Sequence, residues 1–91
     1  MDNLSELIEI LAEETDRNTM RKLLEELLTP AERTDIAKRW YLMKELYKGT
    51  PQRRIARDME ISLCKITRGS KILKQGNSAF RAILSARYDD D

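Results

Sequence analysis

The residues best placed to do chemistry lie in the stretch 65–74, KITRGSKILK, which carries four Lys and Arg and no acid. Cations at helical spacing suit the phosphates of a nucleic acid. Wound at about 100° per residue, residues 63–74 divide into two sides. Cys64, Thr67, Arg68 and Lys71 share one; Ile66, Gly69, Ser70 and Leu73 share the other. The small pair Gly69-Ser70 thus faces inward, where another helix or a ligand can approach closely. A glycine inside a helix costs about 1 kcal/mol against alanine, and close contact is the offset. The outward cations would then suit phosphates, and Ser62, Leu63 and Cys64 at the helix start would lie nearest the base edges.

Other chemistries lack their residues. The chain has no histidine, which removes His-based triads, the usual zinc sites and the commonest general base. It shows no acid pair in a pocket-like context, no glycine-rich phosphate loop and no nucleophile–base pair, so neither an enzyme nor a metal site is expected. Cys64 is the single cysteine; with no internal disulfide possible, a reducing, cytoplasmic setting is expected. No apolar run nears the ~18–20 residues of a membrane span, and the acidic start MDNLSELIEI lacks the basic region of a secretory leader.

The net charge of +1 hides a division. Residues 1–32 carry −6, residues 33–81 carry +9 and the last ten carry −2. A basic body with acidic ends suits a polyanion. A solvated helical surface that happens to be basic fits the charge equally well.

The elements that must position these residues read as helices throughout. With 91 residues, three glycines and two prolines, one all-helical domain is expected. Leu4, Leu7, Ile8 and Leu11 form an apolar stripe that Asp2 or Asn3 can cap. ETDRNT breaks it, and Met20, Leu23, Leu24, Leu27 and Leu28 form the next stripe. In TPAE, Thr29 is the N-cap, Pro30 the first helical residue and Glu32 the far half of a capping box. The third helix carries Ile36, Trp40, Met43 and Tyr47 on one side and stops at Gly49. Thr50-Pro51 repeats the cap-then-proline signal, and Ile55, Ala56 and Met59 face inward from a short helix. Ser62 caps the helix that holds the basic stretch. A last helix covers about 78–87, with Phe80, Ile83 and Leu84 inward, and YDDD at 88–91 is a frayed tail. That makes about six short helices. Eleven large apolar residues in the first 28 exceed what one thin core needs, which points to helix exchange or a dimer interface over residues 1–28.

Within residues 51–74, Ala56 is small where two helices must cross, Ile61 follows a turn, and Ile66 comes five residues later. This is helix-turn-helix spacing, in which the second helix enters the major groove. An ordinary helical hairpin is the plainer alternative. The turn position that usually wants a left-handed residue, often glycine, holds Glu60, at a cost of roughly 1 kcal/mol or more.

The motifs LLTPAER, Arg39 ten residues after Thr29, KELYKG, QRRIA and above all ITRGSKILK together resemble the tryptophan operon repressor family, over about residues 27–74. That resemblance implies an all-helical, intertwined homodimer whose N-terminal helices interlace and whose subunits each offer one helix-turn-helix. It implies a sequence-specific DNA-binding repressor, with L-tryptophan as corepressor between the third helix and the recognition helix. Arg39 and Arg68 would sandwich the indole, Arg68 would meet the ligand carboxylate, Thr29 would stand at the pocket edge and Gly69 beside the ring. Guanidinium planes stack on an indole face for roughly 0.5–2 kcal/mol each. Without the resemblance, Arg39 is a surface arginine and Arg68 a phosphate contact.

For double-stranded operator DNA, the matching positions are Gln52 and Arg53, with Arg53 reaching a base edge, and Leu63, Cys64 and Thr67 on the recognition helix. Lys71, Lys74 and Arg57 would meet phosphates. The resemblance further implies readout partly through water. Cys64 replaces a small residue and needs no redox role. Two features depart from the family. Ile72 stands where a serine bonds the ligand's amino group, and losing a bond to a charged group is worth about 1.5–3 kcal/mol. The turn GTPQR is one residue shorter. Tryptophan, another aromatic amino acid or indole, or no ligand all stay open, as does a helical protein–protein interaction module meeting an acidic partner.

Overall fold

The computed structural model describes residues 2–89, so Asp90 and Asp91 of the expected tail lie outside the described residues. Six helices follow one another: α1 (Asn3–Glu13), α2 (Arg17–Leu27), α3 (Pro30–Lys48), α4 (Gln52–Met59), α5 (Leu63–Lys74) and α6 (Ala79–Tyr88), with no strand among the described residues. The chain divides into two units, Met1–Asp35 and Ile36–Asp91.

In the first unit, side-chain caps fix the helix starts. Asp2 accepts the Ser5 N–H at 2.7 Å and Asp16 accepts the Thr19 N–H at 2.9 Å. Thr29 and Glu32 form both halves of the expected box: Thr29 N–H donates to Glu32 Oε1 at 2.8 Å, and Glu32 N–H to Thr29 Oγ1 at 3.2 Å. Arg33 reaches back to the end of α2, where its Nη1 donates to the carbonyls of Glu25 and Leu28, both at 2.9 Å. A cation there satisfies carbonyls that the helix leaves open. These bonds are local, and the apolar stripes gain little from them. No residue of α1 or α2 is buried, and Leu4 is 67% and Ile8 55% exposed.

The second unit holds the core. Leu42, Ile55 and Ile66 form its centre, with Leu46, Ala56, Met59 and Ile61 around them. Met43 and Leu84 are also buried. The rings of Trp40 and Phe80 meet at 5.8 Å between centroids, which joins α3 to α6. Ile83, expected inward, is 54% exposed, while its neighbour Leu84 is fully buried: α6 packs through Leu84 and leaves Ile83, about 100° around the helix, on its open side. Ile36, expected on the stripe of Trp40 and Met43, is likewise half exposed.

Helix ends in this unit depend on backbone geometry. Gly49 adopts φ +89°, its N–H bonds the Leu46 carbonyl at 3.1 Å, and the Thr50 N–H bonds the Glu45 carbonyl at 3.0 Å. This pair of bonds is a Schellman ending. Thr50 does not cap α4 as its sequence suggests. Pro51 takes the cap position, where its carbonyl accepts from Arg54 and Ile55, and the Thr50 hydroxyl turns back to Glu45 Oε1 at 3.3 Å. Glu60 does take the left-handed conformation, at φ 54° and ψ 43°. Its N–H and that of Ile61 both bond the Ala56 carbonyl. Since glycine adopts this conformation without the Cβ clash, Glu60→Gly is expected to raise stability by about 0.5–1 kcal/mol in urea unfolding.

Candidate ligand and nucleic-acid site

Helix α5 starts at Ser62, whose hydroxyl accepts the Lys65 N–H at 3.4 Å. Its inward side meets three neighbours. Ile66 is fully buried in the core beside Ile55 of α4. At Gly69, a Cβ would lie 3.0 Å from Leu46 Cδ1, 3.1 Å from Met43 Sδ and 3.7 Å from Leu42 Cδ2. The glycine is what lets α3 come this close. Ser70 and Leu73 face a shallow groove of about 380 Å³, completed by Leu46, Tyr47, Lys74 and Arg81.

This contact orders the sequence-derived ligand residues of the second unit. Arg39, Met43 and Leu46 lie at i, i+4 and i+7 on α3, hence on one stripe. Met43 and Leu46 touch Gly69, and Arg39 stands exposed one turn earlier. On α5, Arg68 adjoins Gly69 and opens to solvent, while Ile72, about 60° around the helix from Gly69, is half-buried. The α3 stripe that carries Arg39 therefore packs on the helix that carries Arg68, Gly69 and Ile72. Thr29 belongs to the first unit, where its hydroxyl accepts from Glu32.

All the residues matched to DNA contact are exposed: Gln52, Arg53 and Arg57 on α4, and Leu63, Cys64, Thr67, Lys71 and Lys74 on α5. Their charges are mostly uncompensated. Asp58 pairs with Arg57 at 3.3 Å and with Arg54 at 3.8 Å. Among the described residues, Arg39, Arg53, Lys65, Arg68, Lys71 and Lys74 have no acidic partner within 4.0 Å. No group of acids and cysteine that could hold a metal occurs among the described residues. No described helix is long and apolar enough to cross a membrane.

One polar link escaped the sequence. Tyr47 donates to Asp89 Oδ1 at 2.5 Å and the Ser85 hydroxyl to Asp89 Oδ2 at 2.7 Å. Tyr88 closes α6 and Asp89 caps it, so this part of the expected tail is fixed to α3. The Tyr47 hydroxyl, then that of Ser85, holds the Asp89 carboxyl below its ordinary value of 3.8, and Asp89 pushes Tyr47 up. Only the spacing Ser85–Asp89, i and i+4, hinted at the bond within the helix; the partner on α3 lies 42 residues away.

The fold is that of an all-helical protein built around a closely packed α4–α5 pair. The Trp repressor protein family model matches residues 2–88. The chain is 33% identical over 90 residues to a Trp operon repressor homolog of Actinobacillus succinogenes, covering 98% of this chain and 89% of that protein. It is 33% identical over 75 residues to a homolog of Vibrio parahaemolyticus, covering 81% and 73%. A homolog of Chlamydia trachomatis serovar L2 is 35% identical over 66 residues, covering 71% and 70%. No solved structure gives a significant match. The chain belongs to the Trp repressor family, whose members are transcriptional regulators and not enzymes.

Two expectations follow. A larger residue at position 69 must part α5 from α3, so Gly69→Val is expected to lower stability by about 1–3 kcal/mol in urea unfolding. The Asp89 link contributes fully above the ordinary carboxyl value of 3.8 and is lost as pH falls through the lowered native value. Tyr47→Phe should therefore remove an acid-sensitive component from a pH series of melting temperatures.

Proposed function

We propose that the chain is a homodimeric, sequence-specific DNA-binding repressor with L-tryptophan or a similar aromatic amino acid as corepressor. The observation that carries this reading is the α3–α5 contact at Gly69, since it joins the stripe of Arg39 to the helix of Arg68. Two guanidinium planes stack on an aromatic ring, and Arg68 also pairs with the ligand carboxylate. Gly69, by having no side chain, keeps the stripe of Arg39 against the helix of Arg68.

Residues 51–74 act as the helix-turn-helix, with α5 in the major groove. Gln52, Arg53, Leu63, Cys64 and Thr67 face the bases; Arg57, Lys71 and Lys74 face phosphates. The uncompensated cations of α5 support this assignment. Residues 1–28 supply the dimer contact. Their support is the exposure of Leu4, Ile8, Ile10, Leu24 and Leu27 on helices with no buried residue. In the dimer, two reading heads must sit at the spacing of successive major grooves, about 34 Å. The ligand selects the arrangement that meets this spacing, a shift of population between states the protein already visits.

A second reading keeps DNA binding without a ligand. Ile72 favours it, because its half-buried apolar side chain offers no bond to an amino group. Arg68→Leu separates the readings. With one stacking contact and one charge-assisted bond removed, ligand affinity should fall at least tenfold by calorimetry, and ligand-dependent duplex binding should fall with it. An unchanged tryptophan affinity in this variant would refute the pocket.

A further inference from the structure

The front of α5 turns an uncharged face to solvent. Leu63 is 54% exposed, and Cys64 and Thr67 are exposed beside it. At about 100° per residue, Leu63, Lys74, Thr67, Lys71 and Cys64 fall within one arc of roughly 100°. Along that arc the chemistry changes. The first turns carry an isobutyl group, a thiol and a methyl-bearing hydroxyl; the later turns carry two ammonium groups. The core does not account for Leu63, because its neighbours Ile61 and Ile66 are the residues that pack inward.

Guanine and adenine are read in the major groove by paired donors and acceptors of Arg, Lys, Asn or Gln. Within the arc none of these stands in the first two turns; exposed Arg68, about 40° beyond Cys64, is the nearest and is taken by the proposed ligand site, and Lys65 lies about 60° further around. The C5 methyl of thymine is the apolar feature that base pairs present in that groove. Lys71 and Lys74 on the same arc, and Arg53 on α4, carry charge with no acidic partner among the described residues, so a polyanion is the occupant this surface attracts. We propose that α5 reads thymine methyl groups, with Leu63 and Thr67 supplying the contact and Cys64 leaving room for it. The inference rests on the DNA-binding reading above and deepens it: the preference contributed by α5 comes from methyl burial, Gln52 and Arg53 of α4 read other positions, and the cations supply affinity.

The test uses the full chain and duplexes selected by it from a random pool, with affinity measured by fluorescence anisotropy. Replacing a contacted thymine by uracil removes one methyl. Burial worth about 0.8 kcal/mol per carbon makes that duplex bind roughly fourfold more weakly. Leu63→Ala should abolish the difference between the two duplexes at the position Leu63 covers, as coupled sites require. Thr67→Ser should abolish it at a neighbouring position, and Thr67→Val should retain it. Both residues are exposed, and melting curves check that the variants fold. The salt slope should be unchanged in Leu63→Ala and reduced by about one in Lys71→Ala. Equal affinity for thymine and uracil duplexes, or selected sites without thymine, overturns the proposal while salt-dependent binding leaves the DNA reading intact. Failure to bind any duplex overturns both.

Discussion

The approach of α5 to α3 at Gly69 is the contact on which the second unit's arrangement depends. A single added carbon would stand 3.0 Å from Leu46 and 3.1 Å from Met43, closer than ordinary packing allows. The absent side chain costs helix propensity, about 1 kcal/mol against alanine, and that cost is offset by burial of Leu42, Met43 and Ile66 around the contact. From it follow the position of Arg39 relative to the helix of Arg68 and the outward turn of the basic face. One residue thus links packing to chemistry: the inward side of α5 is small so that its outward side can be held still.

The two units differ in how they meet the hydrophobic effect. The second buries a core within itself, centred on Leu42, Ile55 and Ile66. The first has well-made helix ends and no buried residue, so its caps specify helices without supplying a place for their apolar faces. Removing such faces from water is worth about 25 cal/mol per Å². A second copy provides the matching surface in the proposed dimer. Stability then depends on protomer concentration, and the acidic unit and the basic unit fall to separate tasks.

Much of this was legible in the sequence because it is encoded within four residues. The reciprocal bonds of Thr29 and Glu32, the cap at Ser62, the stop at Gly49 and the left-handed Glu60 all follow from local geometry. The inward side of α5 was legible for the same reason, through helical periodicity. What failed depends on how helices pack and end rather than on their own periodicity. Gly69 could have served a helix or a ligand, and the structure shows the helix. Ile83 reads as a core residue until α6 is packed through Leu84. Thr50 reads as a cap until Pro51 takes that role. Asp89 reads as tail until Tyr47, on another helix, bonds it. The site divides the same way: residue types and family motif point to the arginine pair, while their relation through Met43 and Leu46 needed the fold.

In the proposed function, a guest between two guanidinium groups controls DNA reading in a twofold assembly. The most direct measurement is duplex affinity with and without saturating L-tryptophan, at several salt concentrations. Binding should weaken steeply as salt rises and tighten at least tenfold with the amino acid. Equal affinity in its presence and absence would contradict the corepressor role, and affinity indifferent to salt would contradict the DNA-reading face itself.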